Sequence, residues 1–169
     1  MSAAIRQLAD WTSTTPLSHF LQEHLWIIPV SQSIHILSIA IVFTSAGVIS
    51  LRLLGVSASG RSISQLVGTL VPWMYRALGA LLLTGSLQTI AEPVRQFVTP
   101  EFWLKMCMIV CVTLLTIGFA RAVHHRSTAW DNPSTRPASA KVFAVVSLML
   151  WLAIIVCGRL IGYVWLSYA

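Results

Sequence analysis

Acidic side chains are scarce in this chain. Asp and Glu together number 5 of 169 residues against 11 Lys and Arg, and charged residues make up 9% of the whole. Soluble domains carry about 25% charged residues, so the polar surface needed to face water on every side is lacking. Cysteine is rarer still, at 3 residues. Cys107, Cys111 and Cys157 all fall in apolar stretches, which argues against a disulfide framework and for small packing residues. Cys107 and Cys111 share a helix face at a spacing of four, but a metal there lacks two further ligands. Catalytic signatures are missing as well: there is no Ser-His-acid set, no intramembrane carboxylate pair and no HExxH. A stand-alone enzyme is therefore the least favoured class. The positive charge is dispersed and not gathered into a stripe, which argues against nucleic acid as a partner.

Apolar residues are what the chain has, at 56%, with a mean hydropathy of +0.78. They form four long runs, each long enough for the roughly 20 helical residues that cross a hydrocarbon core about 30 Å thick. The spans fall at about residues 26–54, 66–90, 102–123 and 142–168. The expected fold is all-α: a four-transmembrane-helix bundle, residues 26–169, preceded by an N-terminal tail, residues 1–25, with a short interfacial amphipathic helix. Gly55 to Gly60 breaks the chain after the first span, Glu92-Pro93 ends the second, and Thr99-Pro100-Glu101 opens the third with a cap, a first-turn proline and an acid. The stretch from Asp131 to Pro137 is the longest polar loop. No internal repeat is present, which with four spans argues against a complete secondary transporter.

Charge sets an expected orientation. Arg52 and Arg61 flank the first connection without an acid, and Arg121, Arg126, Arg136 and Lys141 surround the third against Asp131. The N-terminal tail sets Arg6 against Asp10 and Glu23, and the second connection sets Arg95 against Glu92 and Glu101. The positive-inside rule then puts both termini on the outer, periplasmic side of a bacterial inner membrane, with Trp26, Trp103 and Trp165 as an outer aromatic belt. No cleavable signal peptide is evident, because the residues before Trp26 lack an apolar core. Thr15-Pro16 opens the tail helix, with Leu17, Phe20, Leu21, His24 and Leu25 on one face, and Pro29 is expected to kink the chain into the membrane.

Ionisable groups within the spans are costly and carry functional hypotheses by default. His35, Arg76 and Arg159 stand out. Ser31, Gln32, His35 and Ser38 make a polar stripe on the first span, with His35 about 13 Å below Trp26. Arg159 lies about 9 Å from Trp165 on the fourth span. Met106, Cys107, Met108 and Cys111 on the third, and Thr84 and Gln88 on the second, reach the same depth. Arg76 shares a face with Ala80, Thr84 and Gln88 and is expected to approach from the midplane. All five acids lie outside the spans, so neither Arg has a carboxylate nearby in sequence, and a haem propionate, a lipid head group or a partner subunit is expected to supply the anion.

Imidazole is the usual protein ligand of haem iron, which makes His35 the candidate metal ligand. The second axial position is open among Met106, Met108, His24 folding back, His35 of a second copy, or none. His24 and His35 share a helix face but sit about 16 Å apart on a straight helix, so one site needs a fold at Pro29. The bland reading is that His35 bonds across helices and Arg159 snorkels outward. His19 reads as solvated, and His124-His125-Arg126 as a basic membrane-surface cluster, less readily as a metal or lipid site.

Several ordered patterns carry a resemblance. They are Trp26-Ile-Ile-Pro29 with Gln32 and His35, Leu51-Arg-Leu-Leu-Gly55, Pro72-Trp73, Thr84-Gly85, Pro100-x-Phe102-x-x-Lys105, Ser147-Leu-x-Leu-Trp151 and Gly158-Arg-Leu-Ile-Gly-Tyr163. Together they resemble an uncharacterised bacterial family of small four-helix inner-membrane proteins, a domain of unknown function, from about Trp26 to Tyr163. Gln32 stands where the family pattern has an acid, Ser50 where it has Asp, and the histidine that ends the third span falls later, at His124 or His125. The architecture distantly resembles cytochrome b561-like and copper-resistance D-like bundles, an analogy of fold that does not fix function.

The leading expectation is a membrane-anchor or electron-transfer subunit holding a b-type haem or a quinone in the outer half. His35 is its ligand, Arg159 the propionate partner, Gln32 a hydrogen bonder behind the ligand, and Met108 and His24 candidate second ligands. Gly79 and Gly85 are expected to let a planar cofactor approach the second span. The partners are the lipid bilayer, a periplasmic redox protein or a second copy of the chain. The alternative is a non-redox transport, permeation or assembly component whose polar residues are structural.

Overall fold

The computed structural model describes residues 3–56, 60–132, 137 and 139–164, with only the backbone of Val164. Trp165 and Tyr168, Ser57 to Ser59 of the first connection and residues 133–136 of the third lie outside the described residues. Those that are described form eight α-helices and no strand: α1 (Ala3–Ser13), α2 (Pro16–Glu23), α3 (Ile27–Leu53), α4 (Ile63–Ala91), α5 (Pro93–Val98), α6 (Pro100–His125), α7 (Ser127–Asp131) and α8 (Ser139–Val164).

Four of these, α3, α4, α6 and α8, are long and apolar enough to cross a membrane. Their outer surfaces carry Ile36, Leu37, Leu82, Leu83, Leu114 and Met149, all exposed. Apolar side chains in that number all round a bundle mark lipid as the solvent. The protein is a four-span α-helical membrane bundle. α3 lies mainly against α4 and α8, and α6 lies against α8, so the order around the bundle is α4, α3, α8, α6. α4 meets α6 far less than it meets α3, which leaves the row incompletely closed on that side.

Local chemistry explains the helix ends. Leu54 closes α3, and Gly55, at φ +79°, supplies the left-handed residue after it. The Gly55 amide donates to the Arg52 carbonyl at 3.2 Å and the Val56 amide to that of Leu51 at 3.0 Å, the paired bonds of a Schellman ending. Ser62 and Gln65 form a reciprocal capping box, so α4 begins at Ile63, three residues before the apolar run suggests. Pro93 and Pro100 open α5 and α6 at positions where no amide donor is required.

The buried core occupies the half of the bundle remote from the N-terminal helices. Val42, Ala46 and Ile49 of α3 pack there with Val71 and Met74 of α4, Val112 of α6 and Trp151 of α8. At this far end α7 folds back onto the start of α4. Trp130 is buried edge-on to Phe119 with ring centroids 5.3 Å apart. The Asp131 carboxylate accepts from the Ser64 amide at 2.9 Å and from the Ser64 hydroxyl at 2.5 Å. Desolvation works against the charge on Asp131, but hydrogen bonds from Ser64, Ser62 and Ile63 outweigh it and hold the carboxyl below its ordinary range.

Two features of the N-terminal end differ from the sequence expectation. The tail forms two helices, not one: α1 packs on α5, and α2 packs on α4 with Gln22 Nε2 donating to the Ala91 carbonyl at 2.9 Å. Thr15 does cap α2, but Ser18 and Leu21 are its buried residues, while Leu17, Phe20 and Leu25 are exposed. The chain turns at His24 to Trp26, upstream of Pro29, which sits inside the first turn of α3. Its missing amide costs nothing there, because the first amides of a helix have no intrahelical acceptor.

Candidate functional site

The polar stripe of α3 is split by its rotation in the bundle. Ser31 and Ser38 are buried, His35 is half-buried, and Gln32 is exposed. His35 and Ser31 face α4: His35 Nδ1 lies 2.7 Å from Thr84 Oγ1, and the Ser31 hydroxyl donates to the Thr84 carbonyl at 3.4 Å. Ser38 turns back to the Ile34 carbonyl within its own helix. Gly85 follows Thr84 and meets the imidazole directly; a Cβ there would stand 3.5 Å from His35 Cε1. That is ordinary van der Waals contact, so the ring lies against the α4 backbone with room for a methyl group. Gly79, by contrast, has nothing within 4 Å of where its Cβ would be.

The hydrogen-bond geometry favours one imidazole tautomer. The Thr84 hydroxyl donates to the Ala80 carbonyl at 2.7 Å, so its single proton is committed. Thr84 Oγ1 is then the acceptor toward His35, and Nδ1 carries the hydrogen. In the neutral ring Nε2 keeps its lone pair, and no hydrogen bond occupies it among the described residues. A histidine anchored through Nδ1–H with Nε2 left open has the arrangement that metal-ligating histidines adopt.

Sequence reasoning overlooked Lys105 as an ionisable group of this region. It lies one turn beyond Glu101 in α6 and is half-buried. Its Cδ comes within 3.9 Å of the Cβ position of Gly158 on α8, and its ammonium stands 5.7 Å from the Phe102 ring centre. Among the described residues no carboxylate pairs with Lys105 within 4.0 Å, and the one ion pair there joins Arg95 to Glu92 at 2.6 Å. Beyond it, Gln88 Nε2, Arg95 Nε, Gln96 Oε1 and Glu101 Oε2 are buried without a hydrogen-bond partner. From His35 and Thr84 to the N-terminal end, the bundle interior is thus polar and incompletely satisfied. The signal for Lys105 lay in plain sequence: a lysine five residues inside an apolar run that a proline opens.

The other candidates lie elsewhere. Arg159 is exposed on α8, donating to the Tyr163 hydroxyl at 3.0 Å and stacked 5.2 Å over its ring. Met108 is half-buried against the hydrophobic core. His24 closes α2, with Nδ1 2.9 Å from the Phe20 carbonyl and its ring 4.2 Å from that of Phe20. No hydrogen bond or ring contact joins His35 to Gln32, Met108, His24 or Arg159 among the described residues. Arg76 is exposed and lies 5.0 Å over the Trp73 ring, so it faces away from this region. Cys107 and Cys111 are exposed on the outer surface of α6. No cluster of three or more His, Cys, Asp or Glu is present among the described residues.

Fold and site together define a small four-span membrane bundle with a histidine held between its first two long helices. The chain belongs to the family of unknown function DUF6644, whose model matches residues 9–164. No curated protein and no solved structure matches it.

Proposed function

We propose that the protein is a membrane-anchor subunit of an electron-transfer assembly, holding a b-type haem at His35. The observation that carries this reading is the contact of His35 Nδ1 with Thr84 Oγ1 at 2.7 Å: with the Thr84 hydroxyl turned to Ala80, Nδ1 is the donor and Nε2 offers its lone pair at a depth where a lone acceptor is otherwise wasteful. The residues fit one axial position. A second ligand comes from outside this constellation: His35 of a second copy, or a residue of a partner subunit. His24 and Met108 are less suited, one tied to Phe20 and the other packed in the core. Lys105, which no carboxylate pairs with among the described residues, is the cation available to a propionate, while Arg159 is turned to Tyr163 and Gln32 is exposed on α3.

When bound, the haem supplies a one-electron couple; the chain's part is to ligate it, fix the ring and neutralise its acid groups. The same lone pair suits the hydroxyl of a quinol but not a quinone carbonyl, which needs a donor. The reading places the site near the periplasmic face, facing a soluble redox partner. A non-redox reading has its own observation. The bonds from His35 and Ser31 to Thr84 tie α3 to α4 whether or not anything else binds.

A reduced-minus-oxidised visible spectrum of protein purified from haem-replete cells tests the choice. The expected result is a Soret and α band in the wild type, lost in His35→Ala. A folded protein from haem-replete cells that lacks the bands overturns the haem reading and leaves His35 as helix packing.

A further inference from the structure

We infer that the far end of the bundle carries a second site, a groove between α4 and α6 that takes one anionic phospholipid. It is independent of the His35 reading. The groove opens where the two helices diverge and has a volume of about 740 Å³, within the usual range for a small-molecule site. Val67 and Val71 of α4 and Ile117 and Ala120 of α6 give it apolar walls, suited to an acyl chain. Arg121, His124 and His125, at the end of α6, line it with a guanidinium and two imidazoles. All three side chains are exposed, and no carboxylate pairs with Arg121 among the described residues. The nearest acid along the chain, Asp131, is already committed to Ser64.

A third feature belongs to α4. Pro72 has no amide to return to the Gly68 carbonyl, so the helical bond at that step is missing, and both residues line the groove. Gly68 covers that oxygen with no side chain. The wall therefore includes a carbonyl without its helical donor beside a cationic rim, a combination that a phosphodiester with a hydroxylated head group satisfies and a choline head group, which has no donor and carries its own positive charge, does not. A free phosphate would use the rim alone and leave the apolar walls uncovered. Basic pockets between spans are a recognised means of holding anionic head groups.

Delipidated protein in detergent, titrated with phosphatidylglycerol, phosphatidylcholine or inorganic phosphate and followed by native mass spectrometry and thermal melting, tests the site. Phosphatidylglycerol is expected to bind and raise the melting temperature. Arg121→Gln should weaken that binding about fivefold. Gly68→Leu is expected to block it while the lipid-free protein melts no lower than the wild type, since nothing lies within 4 Å of the new Cβ and leucine favours the helix. Equal binding of phosphatidylcholine, wild-type affinity in both variants, or full competition by phosphate alone would overturn the proposal.

Discussion

Thr84 does more for the candidate site than any residue except His35 itself. Its hydroxyl spends its proton on Ala80 and so obliges the imidazole to be the donor. Thr84→Val keeps the shape and removes the oxygen, leaving the His35 Nδ1–H without a partner. Helix packing should weaken by about 0.6 kcal/mol, the mean for interhelical bonds in membranes, and by no more than about 1.7. If His35 ligates iron, the same change should lower haem affinity about 10–100-fold, and Thr84→Ser should restore it. A haem titration beside a thermal melt separates these effects; a lower melt with unaltered occupancy reduces Thr84 to packing. His35 was legible in the sequence because an imidazole inside an apolar run is conspicuous. Its partner was not, because Thr84 lies 49 positions away and the pairing depends on how α3 and α4 rotate against each other. That rotation also turns Gln32 outward, although it shares the stripe with His35. Lys105 escaped notice for a different reason. It was read as part of a helix opening, when the helix start at Pro100 already carries it a turn and more inward.

At the scale of elements, punctuation was more readable than packing. Thr15 with Pro16, and Gly55, each state a helix boundary in local chemistry, and the structure uses both, whereas the Ser62–Gln65 box that starts α4 ahead of its apolar run went unread. The first helix is different. Residues 3–13 carry a single buried residue, Ala9, and at 11 residues their helix is marginal alone and depends on docking against α5, a contact that sequence does not announce. The short α7 is likewise held from outside, by Trp130 on Phe119 and by Asp131 on the start of α4. This contact should titrate. The Asp131 carboxyl is held below its ordinary value in the folded protein, so its contribution is fully present above the unfolded pKa of about 3.9 and disappears as pH falls through the lower, folded value. Acidification through that window should loosen α7 first. Hydrogen exchange at the Ser64 and Trp130 amides is the measurement, and Asp131→Asn should remove most of the pH dependence at a cost of about 0.5–1 kcal/mol. Unchanged protection of Ser64 between pH 5 and strong acid would show that the carboxylate does not hold the contact.

For the whole molecule, the two candidate sites stand at opposite ends, so the orientation of the bundle decides what each one meets. The connections beside the far end hold Arg52, Arg61, Arg121, Arg126, Arg136 and Lys141 against Asp131. Those at the N-terminal end set Arg6 and Arg95 against four acids, Asp10, Glu23, Glu92 and Glu101. Loop cations resist translocation, so the far end should face the cytoplasm and both termini the periplasm. Alkaline phosphatase fused after Ala169 or within the Glu92 connection should therefore be active. A fluorescent protein that folds only in the cytoplasm should light up after Gly60 and after Pro137. The opposite pattern would set the basic groove against the outer leaflet and His35 toward the cytoplasm, removing both the periplasmic redox partner and the cytoplasmic lipid supply in one result. The topology measurement thus bears on both sites through one physical asymmetry, the uneven distribution of arginine and lysine. Lys105 and Arg159 complicate it. Both lie within spans on the supposedly outer half, where positive charge is unfavourable to export unless an anion joins it. Replacing Lys105 by Met should leave the phosphatase pattern unchanged if the loops set topology. An inverted pattern in that variant would mean that the buried cation, and not the loops, is the determinant.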